Sequence, residues 1–338
     1  MASTPTPATT RVRLGSTPLE VTRLGLGTAS IGGLYRPVGD RVAFATVNRA
    51  WERGIRFFDT APLYGYGLAE RRSGAALVGR PREDYVLSTK VGLLLEPGGP
   101  DVQDGWPEGD LTGLSPRFDF SYRGTHRSFE HSLERLGVDR IDLLHIHDAD
   151  RHYDRANSGA RTALAELRDR GTIGAIGVGL TQAPLLARFI RETGTAPLDC
   201  VMLGGRYTLL DQSGLDELLP LCEDRGIGVL AAGVFNSGLL AAPSPRSHYD
   251  YEPPTPDMLA RARAIESVCR RHGVPLRAAA AQFPLGHPSI ASVVVGARTP
   301  EQVDDAVDLF DRLLPGALWS DLKHSGLLPA HVPVPAEW

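Results

Sequence analysis

Cysteine is scarce in this sequence. There are three in 338 residues, Cys200, Cys222 and Cys269, and none forms a C-x-x-C pair. Nothing here supports a disulfide framework, and each cysteine sits in an apolar helical or strand pattern. They read as reduced core or near-core thiols of a cytoplasmic protein. Long apolar runs are missing too: no stretch approaches the roughly 18 residues of a membrane span. Residues 1–10 are rich in Pro, Thr and Ala and lack the hydrophobic centre of a signal peptide. They read as a disordered tail, which leaves 11–338 for one domain. The net charge is only −4, with both signs interspersed, which argues against a nucleic-acid or membrane-surface role. A dinucleotide fingerprint of the open-sheet kind is absent. Gly25-Leu26-Gly27-Thr28 lacks the third glycine, and no helical pattern starts there.

What the chain does have is alternation. Short apolar runs at 24–29, 55–59, 85–90, 141–147, 173–178, 198–202, 228–232 and 292–295 read as eight strands, several apolar on both faces. Amphipathic patterns at 41–53, 70–78, 122–136, 159–170, 183–193, 215–225, 257–271 with 276–286, and 300–313 read as helices between them. Many of these stop at glycine, as at Arg53-Gly54, Leu136-Gly137, Arg170-Gly171 and Arg225-Gly226. Strict alternation implies a parallel sheet, and the expectation is a closed (β/α)₈ barrel, a TIM barrel; an open doubly wound sheet is the runner-up. Residues 12–14 and 19–21 read as a β-hairpin that could plug the barrel's lower end. Two long loops, 92–120 and 236–256, follow strands and so lie at the C-terminal face, where barrel active sites sit. Their aromatics, Trp106, Phe118, Phe120, Tyr249 and Tyr251, could line a pocket that stacks a sugar or pyridine ring, or could pack the loops on the barrel.

Four polar residues fall at or just past the ends of three neighbouring strands: Asp59, then Tyr64, Lys90 and His147. A tyrosine hydroxyl, with a pKa of about 10, is a poor acid near neutrality. A nearby ammonium from Lys90 is expected to lower that pKa, with Asp59 holding Lys90 charged and in place. His147 could orient a carbonyl oxygen beside the Tyr64 hydroxyl. Such a group acts as a general acid/base, and it needs a separate hydride carrier, because no side chain transfers hydride.

Phe58-Asp59-Thr60-Ala61-Pro62-Leu63-Tyr64-Gly65, Ser88-Thr89-Lys90-Val91-Gly92 and Ile146-His147 resemble the three catalytic segments of the aldo-keto reductase superfamily, in the family's order. The likeness runs from about Leu14 to Phe310. It implies Tyr64 as proton donor and acceptor, Asp59 and Lys90 as the groups that tune it, and His147 as the residue that orients substrate. Phe118-Asp119-Phe120-Ser121-Tyr122, the segment Arg206 to Gln212 and the segment Val234 to Leu240 resemble a subgroup, the D-threo-aldose (L-fucose) dehydrogenases and related pyridoxal dehydrogenases. That implies hydride transfer between NAD or NADP and a carbonyl or hemiacetal carbon of an aldose-like or pyridoxal-like substrate.

By the same resemblance, Gly27 and Thr28 line the nicotinamide end, and Phe235, Asn236, Ser237 and Gly238 form a loop near the pyrophosphate. Gly296 and Arg298 lead into the last helix, with Gln302 and Asp305 placed to reach the adenine edge. Several positions depart from the wider family. Gly179, Leu180 and Thr181 stand where Ser-Asn often holds the carboxamide, Gly204 where a Gln occurs, Ala232 where an aromatic stacks on nicotinamide, and Ala306 where an adenine-side Asn occurs. Tyr207 is then a candidate wall or a core residue. Arg298 is the one obvious cation for a 2′-phosphate, which leaves both dinucleotides open and tilts toward NAD.

Two other readings compete. His145-x-His147 places two imidazoles on one face of a strand, as in some metal-dependent barrel hydrolases, although no further ligands are evident and the expectation is no metal. A non-catalytic barrel that binds dinucleotide and regulates a partner is the other. Oligomeric state is not readable.

Overall fold

Glycine and hydroxyl residues punctuate the chain where the alternation requires. The Ser121 side chain accepts from Gly124 N at 3.0 Å to start one helix, and Gly137 ends the same helix at φ 64°, a left-handed value that costs glycine little. The computed structural model describes residues 7–98, 113–192, 196–250 and 252–335.

The order of elements is as follows. β1 (Arg11–Arg13) and β2 (Glu20–Thr22) form an antiparallel hairpin. β3 (Leu24–Gly27), α1 (Asp40–Glu52), β4 (Phe57–Asp59), α2 (Leu68–Leu77) and β5 (Val86–Val91) follow. After them come β6 (Leu93–Pro97), β7 (Leu114–Phe118), α3 (Tyr122–Leu136), β8 (Leu143–His147), α4 (Tyr153–Arg155), α5 (Arg161–Asp169) and β9 (Ala175–Leu180). The last part holds α6 (Ala183–Arg191), β10 (Cys200–Gly204), α7 (Leu218–Arg225), β11 (Gly228–Ala232), α8 (Pro256–Arg271), α9 (Leu276–Gln282), β12 (Ile290–Gly296), α10 (Pro300–Phe310) and α11 (Gly316–His324).

β3, β4, β5, β8, β9, β10, β11 and β12 pair in parallel and close on themselves as an eight-stranded barrel, so the closed alternative holds over the open sheet. A side-chain period of two sends alternate residues inward. The lower inward positions are apolar: Phe57, Val86, Leu143, Ala175, Cys200 and Leu230 pack together inside the barrel. Leu14 and Val21 from the hairpin join that cluster, so β1 and β2 do plug the lower end. Outward positions face the helices and form the larger core, which includes Phe58, Leu87, Leu144 and Ile176. The inward positions change character only near the C-terminal ends, where Asp59, Lys90, His145 and His147 lie.

Three local expectations change. The stretch 92–120 is not all loop: Leu93 pairs with Phe118 and Leu95 with Pro116, antiparallel, and Leu93 and Leu95 pack against Leu63 and Tyr66. Pro116 and the glycine-rich sequence between these strands hide the hairpin from a reading of periodicity. The tail expected to extend to Thr10 is anchored from Pro7 onward. Ala8 is fully buried, its N–H donates to Asp311 Oδ1 at 2.7 Å, and its carbonyl accepts from Leu24 N at 3.0 Å. α11 is an addition, burying Leu318, Trp319 and Leu322. No helix is long and apolar enough to cross a membrane among the described residues.

Candidate active site

Barrel register brings the polar residues together. Gly27 of β3 pairs with Asp59 of β4, and Asp59 with Ser88 of β5. Two residues further along β5, and so again inward, is Lys90, whose partner on β8 is His145; His147 follows, paired with Gly179 of β9. Lys90 Nζ donates to Asp59 Oδ2 at 2.6 Å and to Thr60 O at 2.8 Å, and Ser88 Oγ donates to Asp59 Oδ1 at 2.9 Å. Asp59 and Lys90 are 2% and 1% exposed, so each is the compensating charge of the other.

Tyr64 lies on the turn after β4, where its ring centre is 4.9 Å from Lys90 Nζ and stands edge-on to the His147 ring, 6.0 Å between centres. The three residues line a cleft of about 770 Å³ at the C-terminal mouth of the barrel.

The electrostatics depart from expectation at one point. The Tyr64 phenol is not made more acidic. Burial first, then the carboxylates of Asp59 and Asp148, hold its pKa well above 10. The ammonium is neutralised at close range by Asp59, so the pair offers the phenol little net positive field. Burial lowers the His147 pKa, as does Lys90, while Asp148 and Asp59 oppose them; the imidazole is neutral at physiological pH. His145, fully buried below His147 with no hydrogen-bond partner on either ring nitrogen, is pushed well below 6.5 by burial and by Lys90. Its ring needs Gly177. A Cβ there would lie 2.2 Å from His145 Nδ1, closer than atoms can approach. No group of three His, Cys, Asp or Glu side chains placed to share a metal occurs among the described residues.

The predicted binding residues divide. Asn236 and Ser237 line the cleft, at φ 44° and 53°, and the buried Asn236 Oδ1 has no partner and so remains available. Asn236 Nδ2 ties the loop to Gly205 O at 3.1 Å. Phe235 packs on the core, and Gly238, at φ 104°, turns the loop behind the lining. Thr28 does not face the cleft. It is fully buried, and its N–H and Oγ1 both donate to Asp59 O at 3.0 Å, so with Gly27 it buttresses Asp59 from behind. Gly296, Arg298, Gln302 and Asp305 lie at the β12 end and on α10, outside the lining. There Gln302 Oε1 accepts from Arg298 N at 2.7 Å, Arg298 Nη2 donates to Leu34 O at 3.0 Å, and Asp305 is engaged by the Arg277 guanidinium. The carboxylate expected to reach an adenine edge is therefore already paired.

Of the expected pocket aromatics, Tyr207, Phe118, Phe120 and Tyr249 do not line the cleft. Tyr207 is a core residue, 2% exposed and packed on Phe283 at 5.1 Å between ring centres. Phe118 stacks on Phe120 beside His152, away from the cleft. Tyr249 lies behind the lining, its hydroxyl 3.2 Å from Asp211 Oδ2. Trp106 and Tyr251 lie outside the described residues. The described lining mixes small and apolar residues, among them Ala29, Leu63, Gly179, Leu180, Met202, Gly204 and Ala232, with Thr181 and the charged Asp148, Arg151, Asp250 and Glu252. The departures at Gly179, Leu180, Gly204 and Ala232 are thus all on the cleft surface. The charged residues had no signal in sequence beyond the nearness of Asp148 to His147, because loop paths decide which charges turn inward.

Residues 23–325 match the aldo/keto reductase family. A pyridoxal 4-dehydrogenase from Microbacterium luteolum is 43% identical, covering 93% of this chain and 97% of its own. A D-threo-aldose 1-dehydrogenase from a Pseudomonas species is 42% identical, covering 92% and 96%. Among solved structures, a glycerol dehydrogenase from Gluconobacter oxydans superposes with a TM-score of 0.74 at 27% identity, covering 98% of both chains. Barrel, strand-end cluster and match over nearly the full length agree: the chain belongs to the aldo/keto reductase family of oxidoreductases.

Proposed function

We propose that this protein transfers a hydride between a nicotinamide dinucleotide and the carbonyl or hemiacetal carbon of an aldose-like or pyridoxal-like substrate, with Tyr64 as general acid/base. The observation that carries the reading is the convergence of Tyr64 and His147 over the buried Lys90–Asp59 pair in the cleft at the barrel mouth. Family members use such a dinucleotide, and the unpartnered Asn236 Oδ1 on the αL-turned loop fits a polar ligand along that wall. When bound, the dinucleotide supplies or takes the hydride.

The chain's own residues handle the proton. The Tyr64 phenol, held neutral by burial, donates its proton to the substrate oxygen during reduction and recovers it from solvent. In oxidation the phenolate must form first, so that direction is favoured by alkaline pH. Lys90 stays paired to Asp59, 4.9 Å from the Tyr64 ring centre, so its full charge is not available to the phenol. Neutral His147 orients the substrate oxygen toward Tyr64. The engagement of Arg298 by Leu34 O supports NAD over NADP, and the three buried free thiols fit a cytoplasmic location.

The test is Tyr64→Phe, assayed by nicotinamide absorbance with both dinucleotides against aldoses, pyridoxal and simple aldehydes. Turnover should fall about 10²–10⁴-fold while dinucleotide affinity holds. Intact turnover would remove Tyr64 from the role.

A further inference from the structure

We propose that Asp148 selects the substrate by accepting a hydrogen bond from a hydroxyl on the carbon next to the reacting carbonyl, so that the preferred substrates are α-hydroxy carbonyl compounds. This rests on the hydride-transfer reading above and narrows its substrate class to the aldose-like side.

Three observations converge on Asp148. First is its placement. It follows His147 directly and adopts φ 44°, a left-handed conformation that Asp and Asn accept more readily than other side chains. Its N–H donates to Gly179 O at 3.2 Å, and Gln182 Nε2 donates to Asp150 Oδ1 at 2.6 Å, so the turn is fixed to the loop after β9. Second is its distance from the imidazole. Asp148 Oδ2 is 3.5 Å from His147 Nε2, too long for a hydrogen bond between the two. The two atoms stand side by side at the cleft wall. If Nε2 orients the reacting oxygen, the carboxylate faces the oxygen on the adjoining carbon, the spacing of a vicinal pair. Third is the company it keeps. Asp250, another carboxylate on the lining, is clamped by Arg206 at 2.6 and 3.1 Å, whereas among the described residues no guanidinium lies within ion-pair distance of Asp148. Tyr64 and His147 are the aromatic rings on the described lining. A charged acceptor beside the orienting imidazole suits a hydroxylated chain.

A carboxylate accepting a substrate hydroxyl makes a charge-assisted bond, stronger than a neutral one. An isostere that lacks the hydroxyl leaves the carboxylate desolvated without a partner, which is how a polar site rejects analogues.

The experiment compares glycolaldehyde with propanal, which match in size and differ by one hydroxyl, in the wild type and in Asp148→Asn. Asn keeps the shape and tolerates the left-handed turn, so the fold is retained. The readout is the ratio of kcat/KM for the two aldehydes, and differences in their hydration cancel between enzymes. The ratio should fall about tenfold in the variant, mainly through KM for glycolaldehyde. Equal losses on both aldehydes, leaving the ratio unchanged, would mean that Asp148 acts only through His147 and would overturn the inference alone. Turnover of neither aldehyde by the wild type would overturn the proposed function and this inference with it.

Discussion

Lys90 and Asp59 meet at 2.6 Å across adjacent strands, both almost wholly out of water. Two further hydrogen bonds, from Ser88 to the carboxylate and from the ammonium to Thr60 O, complete the pair. Such a pair is weak support for stability as a whole, but losing one member leaves the other as an uncompensated buried charge. Asp59→Ala should therefore destabilise the fold by about 3–5 kcal/mol in denaturant titrations. Lys90→Met combined with Asp59→Leu should be more stable than Asp59→Ala, while remaining inactive. A single variant with full stability would show that the pair is hydrated rather than desolvated.

Two histidines, His145 fully buried and His147 largely so, set an acid limit. The folded pKa values of His145 and His147 are both lowered, whereas the unfolded chain titrates near 6.5. Below about pH 6.5 the unfolded state binds more protons, so stability is full above that value and is lost as pH falls. Each histidine adds a slope of up to about 1.4 kcal/mol per pH unit. Urea midpoints at pH 7 and pH 5 should differ accordingly. His145→Leu should flatten the slope by about one proton, since neither ring nitrogen of His145 has a partner to lose. An unchanged slope counts against burial as its cause.

Gly177 and His145 are matched in size inside the barrel. Adding one methyl in Gly177→Ala drives Cβ into His145 Nδ1 and, at 2.9 Å, into Cys200 Sγ. Overpacking of this kind costs about 1–3 kcal/mol. The loss should be partly recovered in Gly177→Ala with His145→Ala, a non-additivity that a double-mutant cycle measures. Simple additivity would mean that the clash is relieved elsewhere.

A second buried carboxylate lies behind the sheet. Glu70 of α2 is fully buried, accepts from Thr89 Oγ1 at 2.7 Å and pairs with Arg135 Nε at 2.5 Å. Thr89 is the outward neighbour of Lys90, so this network clamps β5 just where the ammonium projects. Glu70→Ala should cost about 3–5 kcal/mol, seen as a lower denaturant midpoint at unchanged slope. A change under about 1 kcal/mol would show that water replaces the carboxylate.

Much of the architecture could be read from residue patterns because barrel strands and helices carry distinct local signatures. Gly228–Ala232 and Tyr122–Leu136 match their predicted spans residue for residue. The hairpin of β6 and β7 could not be read that way, because its pairing joins residues some twenty apart across a stretch so rich in Gly, Pro and Asp that it reads as loop throughout. Tyr207 and Tyr249 were indistinguishable from pocket aromatics, since an amphipathic ring suits either a core or a cleft.

Local chemistry along the chain therefore determined the alternating elements and the strand-end positions of Asp59, Lys90 and His147, because strand period and glycine stops act over a few residues. Only the tertiary structure decided that the Tyr64 phenol is held neutral rather than made acidic, that Asp305 and Arg298 are already engaged, and that Tyr207, Phe118 and Tyr249 stand off the cleft while charged loop residues line it. Burial and pairing depend on residues far apart in sequence, and these settle the charge and the openness of every group at the site.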